Sequence, residues 1–523
     1  MRKPPPSSFE ILTDIVYVVD KNKIKNIRII GNPDTDKNAK KSKIELLYEG
    51  LHYGTFKTDA DAAAALGYTD EKEGAYIKLK HELKKRLVNT ILFIDTEQAA
   101  FTDLDRARFL AKRDWVAIDF LWLRGARRSA VELAEYLFPI TEKFEITFIC
   151  LDIAKKLAGN FALDGNKKKY AYYAEAVKKY NRIFNAETEA ELLYTQFASM
   201  NATNKSHKPE IYAMAKQCLK QLEVYNDVNS VTYISFIGFI ERIIYDGSKD
   251  FRKIIEVCER NNSLLKAKPF LHKVPIVVNQ YNIVAAHIML RQYDEAQIVV
   301  NEYLSYLEIG ANNWFKGIDI YITLCFQTDR FEKAHELYLH GKAQRSFKNL
   351  LLGDQERWIL YSGYFDLFAA MRLLKVTDKE RRSLSIRRIL GSMPEANKDK
   401  RGMNIPLLIL DIMMRMQQGE HNDSKKAEIL FSRIENLSKY RQRHLKKESE
   451  TFRSDVFIAL AELLAKYAFQ FKNLQAEANA LYVRFQEKPY DVLNQPYEVE
   501  VINYEKAWLH ICNFMHGRYF DRV

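Results

Sequence analysis

The chain has 523 residues, of which 47% are hydrophobic and 28% charged, enough for a large interior or several domains. Only 19 glycines and 12 prolines occur, and this scarcity of turn-makers argues against a sandwich, a barrel or a loop-rich α/β enzyme and for an all-α fold. The net charge of +12, spread over 80 basic and 68 acidic side chains, is compatible with nucleic acid without demanding it.

Five scattered cysteines (Cys150, Cys218, Cys258, Cys325, Cys512) in apolar helical contexts suggest reduced thiols and a cytoplasmic protein. Met1-Arg2-Lys3 leads into prolines with no apolar core behind it, so no signal peptide is expected. Runs such as Ile405–Met414 are too short to span a bilayer, and no membrane partner is expected.

Residues 1–42 read as an extension. The β-branched runs Phe9–Val19 and Ile24–Ile30, separated by Asp20-Lys21-Asn22-Lys23, predict a β-hairpin, and a polar linker follows Gly31 and Pro33. Residues 43–100 read as a small helical module. Ile44, Leu47, Tyr48 and Leu51 form one stripe, stopped near Gly54. Thr58 is the expected cap of an alanine-rich helix with Asp59 and Asp61 at its positive end, and Gly67 closes it. A longer helix from about Glu71 to Phe93 carries Tyr76, Leu79, Leu83, Leu87 and Ile91 inward and five basic residues within nine positions, at 78, 80, 84, 85 and 86.

This short helix, glycine stop and basic helix resemble a helix-turn-helix. The resemblance implies that Lys78, His81, Lys84 and Lys85 face phosphates or base edges of DNA. The competing reading is a lysine-rich solvated face, favoured by the length of the stretch from Gly67 to Tyr76 and by the interspersed Glu71, Glu73 and Glu82.

Residues 101–415 read as an array of antiparallel helix pairs: Arg108–Leu123 with Ser129–Phe138, and Phe144–Gly159 with Tyr170–Phe184. Glu187–Met200, Pro209–Tyr225 and Ser230–Tyr245 continue the series. The most ordered stretch is Asn279–Gly341, where two turns share one plan, Gln292-Tyr293-Asp294-Glu295-Ala296 and Arg330-Phe331-Glu332-Lys333-Ala334, with a looser copy at Asp250–Ile254. The aromatic positions 251, 293 and 331 lie 42 and 38 residues apart, a spacing suited to stacked helix pairs. Tyr293 and Phe331 are expected to close the turns as buried rings, and Ala296 and Ala334 to let paired helices approach.

Here the chain resembles the tetratricopeptide (TPR) superfamily. Asn282, Ala286, Tyr293, Asp294, Glu295 and Ala296 fall where that family carries such residue types, as do Phe331, Lys333, Ala334 and Tyr338 one unit later. The family's tryptophan, glycine and closing proline are replaced by Gln280, Val284 and Glu308, and the period exceeds the usual ~34 residues. The implied fold is a TPR-like α-solenoid, and the implied activity is protein–protein interaction through a helical-repeat groove.

Gln355–Leu374 continues the array, a basic helix at 381–388 follows, and Ile405–Gln417 is apolar enough to be fully buried. Residues 416–523 read as C-terminal repeats and a cap: Ser424–Ser438 and Ser454–Phe471, joined by a basic connector over 439–450, then a last helix Glu505–Met515.

No phosphate loop, dinucleotide fingerprint, H-E-x-x-H or nucleophile elbow occurs, so no catalytic residue and no cofactor is assigned. His510, Cys512 and His516 do not share a helix face, and no metal site is expected. His335 and His340, five apart on one helix, likewise splay, and His287 reads as a packing histidine. The expected function is a non-enzymatic scaffold for a protein or peptide partner. Alternatives are a TPR-containing regulator that binds DNA through residues 43–95, and a solenoid nucleic-acid binder using the arginine patches near 381–388 and 439–447.

Overall fold

The repeat turns owe their form to the backbone immediately before each aromatic. Lys249, Arg291 and Asp329 adopt left-handed φ values of +56°, +59° and +54°. The next amide in each case reaches back to close the helix: Asp250 N–H to Tyr245 O at 3.0 Å, Gln292 N–H to His287 O at 2.9 Å, and Arg330 N–H to Cys325 O at 2.9 Å. This is the Schellman closure, built here without glycine, which reconciles many tight turns with few turn-making residues. The aromatic then opens the following helix, and the residue three positions on (Ile254, Ala296, Ala334) is fully buried.

The computed structural model describes residues 9, 12–13, 16, 41–98, 101–203, 208–377, 404–444, 451–492 and 500–516. Among these are twenty α-helices and no β-strand, so the fold is all-α. The chain divides into two compact units, Met1–Asn185 with Pro269–Leu271, and Ala186–Lys268 with His272–Val523.

The first unit begins with α1 (Lys43–His52), α2 (Asp59–Ala65) and α3 (Gly74–Ile91). Thr58 caps α2, and Gly54 and Gly67 lie at positive φ just beyond α1 and α2, as the sequence predicts; Ser42 caps α1, and both caps are reciprocal, with Glu45 and Asp61. Among the described residues the expected N-terminal hairpin is not supported: Phe9, Leu12, Thr13 and Val16 are helical, and Phe9, Leu12 and Val16 are buried in the core of α1–α3. Their i, i+3, i+7 spacing places three apolar side chains on one helical face, and burying that face overrides the β-propensity of the run. Ile24–Ile30 lies outside the described residues.

The unit continues with α4 (Asp103–Leu123), α5 (Arg127–Lys143), α6 (Thr147–Leu163) and the first part, to Asn185, of α7 (Lys167–Thr203). Consecutive helices pack on each other around Ala111, Ile118, Phe138, Ile153 and Leu157. Helix α5 runs through Pro139 to Lys143, one turn past the expected stop at Phe138. Two expected helices, Tyr170–Phe184 and Glu187–Met200, form the single 37-residue α7. The only weak helix former between them is Asn185, whose cost of a few tenths of a kcal/mol does not break a packed helix.

The second unit holds α8 (Lys208–Leu222), α9 (Val231–Ser248), α10 (Phe251–Lys266), α11 (Lys273–Met289), α12 (Tyr293–Ser305), α13 (Asn312–Gln327), α14 (Phe331–Lys342) and α15 (Leu352–Ala370). After residues that are not described come α16 (Asn404–Gln417), α17 (Ser424–His444), α18 (Phe452–Lys466), α19 (Phe471–Val483) and α20 (Tyr504–Met515). Neighbour packs on neighbour from α8 to α15, and one apolar core extends from Val284 to Phe514. Ile412, Met413, Ala427 and Leu430, on both sides of position 415, belong to that core.

The expected helix Ser454–Phe471 stops at Lys466, broken at Tyr467–Gln470, where Ala468 and Phe469 lie at φ +46° and +59°, and a further helix begins at Phe471. Residues 488–492 and 500–506 reach the earlier turns. Asp491 pairs with Lys249 at 2.7 Å, Asn503 Nδ2 donates to Gln327 Oε1 at 3.2 Å, and Lys506 Nζ bonds Asp329 at 2.7 Å and the carbonyls of Phe326 and Gln327. Their anchor is Arg453, only 2% exposed, which grips both oxygens of Glu500 at 2.7 and 2.9 Å, the Lys488 carbonyl at 3.0 Å, and Glu505.

Candidate functional site

In the N-terminal module, α3 turns Tyr76, Leu83 and Leu87 inward, and Lys80 goes with them. Lys80 is 4% exposed, its Nζ 2.7 Å from Asp59 Oδ2, while the Tyr76 hydroxyl donates to Asp59 Oδ1 at 2.8 Å. Asp59 thus sits at the positive end of α2 and ties α2 to α3. Burial, then the bond to Asp59, raises the Tyr76 pKa.

Of the five basic side chains, one is therefore a core strut, and Arg86 is paired with Glu82 at 2.9 Å. Lys78, His81 and Lys85 are exposed, and Lys84 is half-buried. Their helical positions put Lys78, His81 and Lys85 on one face together with the exposed Ile77, Val88 and Leu92. The face is mixed basic and aliphatic, and residues 66–73 separate α2 from α3.

The repeat-packing residues fall where the turn plan puts them, with one difference. Ala296 and Ala334 have no exposed surface, and Phe331 is buried with its ring 4.3 Å from that of Phe368. Tyr293, expected to be buried, is half-buried: as the first residue of α12 it keeps part of its ring at the surface. Replacing Ala296 or Ala334 by leucine is expected to destabilise by about 1–3 kcal/mol through overpacking. Denaturation followed by circular dichroism checks this, and unchanged midpoints for both would refute the register.

The same register generates a feature not recognised in the sequence. Adding the 38-residue spacing to Tyr281 gives Asp319, and adding it again gives Arg357. These three occupy equivalent positions on α11, α13 and α15, the first helices of successive pairs. Arg357 Nε lies 3.5 Å from Asp319 Oδ1, which also accepts from the Tyr361 hydroxyl, and the Asp319 and Arg357 side chains are each 20% exposed.

Burial works against the Arg357 charge, but Asp319 and neighbouring phenols more than reverse it, so its pKa is raised. Burial, reinforced by Asp319, pushes Tyr281 up to about 12. One helical turn earlier, Lys316 and Asp354 are exposed, again 38 residues apart, and burial followed by Asp319 raises the Asp354 pKa. The result is a recessed row of a phenol, an anion and a cation, flanked by an exposed cation and anion.

Other candidates resolve into packing. Tyr173 and Tyr180 are buried against Phe138, whereas Tyr170 and Tyr172 stay exposed. His335 packs on Phe365 at 5.0 Å, and the His287 ring contacts Gln292 Oε1 at 2.9 Å. Burial pushes the Cys150, Cys258 and Cys512 thiols up to about 12 and Cys325 up to about 11, so none is a thiolate near neutral pH. Among the described residues, no group of three or more His, Cys, Asp or Glu could hold a metal, and no helix is long and apolar enough to cross a membrane.

Residues 381–388 lie outside the described residues. In the second basic patch Arg441 is engaged by Asp455 at 2.6 Å and Glu462 at 2.8 Å. No protein-family model, no curated protein and no solved structure matches this chain.

Proposed function

We propose that the protein is a non-enzymatic interaction scaffold of tetratricopeptide-like repeats that binds a protein or peptide partner. The observation that carries this reading is the row Tyr281, Asp319 and Arg357 with its flanking Lys316 and Asp354. A polypeptide lying across successive first helices meets a donor or acceptor at each repeat, so affinity accumulates from many small contacts. The row holds polar groups in a partly dry setting, where hydrogen bonds to a partner count for more than at an open surface. Buried thiols of raised pKa suit a reducing compartment, for which the cytoplasm is the natural candidate.

The test is capture from host extract with wild type and with the double variant Lys316→Glu/Asp354→Lys, which reverses two exposed charges and leaves the Asp319–Arg357 pair intact. Wild type is expected to retain a stoichiometric polypeptide that survives nuclease treatment, and the variant to lose most of it. Retention of nucleic acid instead, removed by nuclease, would favour the DNA-binding or solenoid nucleic-acid reading. Equal capture by both forms would remove the row from the interface.

A further inference from the structure

In the first unit, α3 buries one face in the core and leaves the opposite face bare. Ile77, Val88 and Leu92 on the bare face are 49%, 47% and 51% exposed. At about 100° per residue they fall within roughly 60° of one another, with His81 between them. Lys84 borders this strip on one side, and Lys78 and Lys85 border it on the other. The aliphatic stems of the lysines extend the apolar surface between Ile77 and Val88. At ~1.5 Å per residue the strip is about 22 Å long, or about four helical turns.

The charges along its edges are uncompensated. Lys80 is held by Asp59 and Arg86 by Glu82, but Lys78, Lys84 and Lys85 make no ion pair among the described residues. Residues 41–98 as a whole carry 9 Lys or Arg against 10 Asp or Glu, so the module has no general excess of positive charge. Its free cations are gathered along one aliphatic strip. The complement of that surface is an apolar strip edged by carboxylates, no wider than a single helix.

We propose that this face of α3 docks an acidic amphipathic α-helix of a protein partner. Aliphatic side chains of that helix lie on Ile77, Val88 and Leu92, and its Asp or Glu side chains meet Lys78, Lys84 and Lys85. A helix of ~10–12 Å diameter fits the strip, and its side chains recur at the same three- and four-residue steps as those of α3. Duplex DNA would satisfy the lysines but would press the aliphatic strip against a charged backbone. A bilayer is a plane far wider than the strip, and the module's carboxylates, which outnumber its cations, would be driven toward like charge. A second copy of this chain would set lysine against lysine. The proposal stands apart from the repeat-row reading and involves none of its residues.

The experiment is fluorescence anisotropy on the full chain. The probe is a labelled, capped 21-residue peptide of three Glu-Leu-Ala-Ala-Leu-Glu-Glu heptads, whose glutamates keep it from pairing with itself. It is expected to bind at least about tenfold more tightly than the same peptide with serine for leucine, which keeps the charge and loses the apolar strip. Lys78→Gln/Lys85→Gln and Val88→Gln/Leu92→Gln are each expected to weaken binding about tenfold. Neither should move the melting midpoint much, since all four side chains are exposed. Lys316→Glu/Asp354→Lys is expected to bind the probe as wild type does.

No binding of the probe by wild type, or equal binding of the leucine and serine peptides, overturns the proposal. So does wild-type affinity in Val88→Gln/Leu92→Gln, which would reduce the effect to charge attraction alone. Tighter binding of a 20-base-pair duplex or of phosphatidylserine vesicles than of the probe would assign the face to that occupant instead. A dimer of the free protein that Val88→Gln/Leu92→Gln dissolves would assign it to a second copy. Loss of the probe in Lys316→Glu/Asp354→Lys would move the peptide to the row and overturn the docking on α3, leaving the row reading in place.

Discussion

Arg453→Ala is expected to destabilise the second unit by about 3–5 kcal/mol, the cost typical of stripping one partner from a buried ion pair. Arg453 and Glu500 are 2% and 3% exposed, and the guanidinium meets Glu500 through two parallel bonds at 2.7 and 2.9 Å. Burial opposes the arginine charge, but Glu500 and then Glu505 overcome it, and its pKa is raised. With the arginine gone, the Tyr504 amide still donates to Glu500, but the buried carboxylate loses the guanidinium that balanced its charge. Replacing both partners, as Arg453→Met with Glu500→Leu, should recover most of the loss, because the penalty belongs to the unpaired charge more than to the missing bond. Chemical denaturation followed at 222 nm distinguishes the cases. A single variant within about 1 kcal/mol of wild type would show that Glu500 finds water or another cation.

The second large effect centres on Trp358, 2% exposed and surrounded by Phe315, Tyr338, Phe347 and Tyr361 at ring distances of 5.3–6.3 Å. Trp358→Ala is expected to cost about 3–5 kcal/mol through lost burial and the cavity left behind. Its ring lies over Gly341, where an added Cβ would meet the indole at 2.1 Å. Gly341→Ala alone should therefore destabilise by about 1–3 kcal/mol. In the Trp358→Ala background the clash is gone and only the helix preference for alanine remains, so the same change should stabilise by about 0.5–1 kcal/mol. That reversal of sign is the measurement, and additive effects in the double-mutant cycle would rule out the contact.

Local signals were the legible part of this chain. Thr58, Gly54 and Gly67 mark helix ends by their own chemistry, and the positions of α1 and α2 follow from them. The break at Tyr467–Gln470 was not legible, because its left-handed residues are alanine and phenylalanine, which carry no turn signature. The hairpin expectation failed where β-branched composition and helical spacing coincide in one run, and the core decided between them.

The candidate sites divide in the same way. The 38-residue spacing read from the turns already places Asp319 and Arg357 in line with Tyr281, so that row could have been found by carrying the register onto the first helices. Lys80 could not have been separated from its basic neighbours without knowing that Asp59 lies beneath it.

The bonds that Asp491, Asn503 and Lys506 make to the earlier turns set an order of events during synthesis. Gln327 leaves the ribosome 179 residues before Lys506 (506 − 327), the side chain that bonds its carbonyl. At about 5–20 residues per second that interval lasts roughly 9–36 s. Throughout it the turn at Asp329 stands without the lysine that later bonds it. A nascent chain of this design spends that time with a finished set of central helices and an uncovered edge, the stage at which chaperones or a second nascent copy would compete for it.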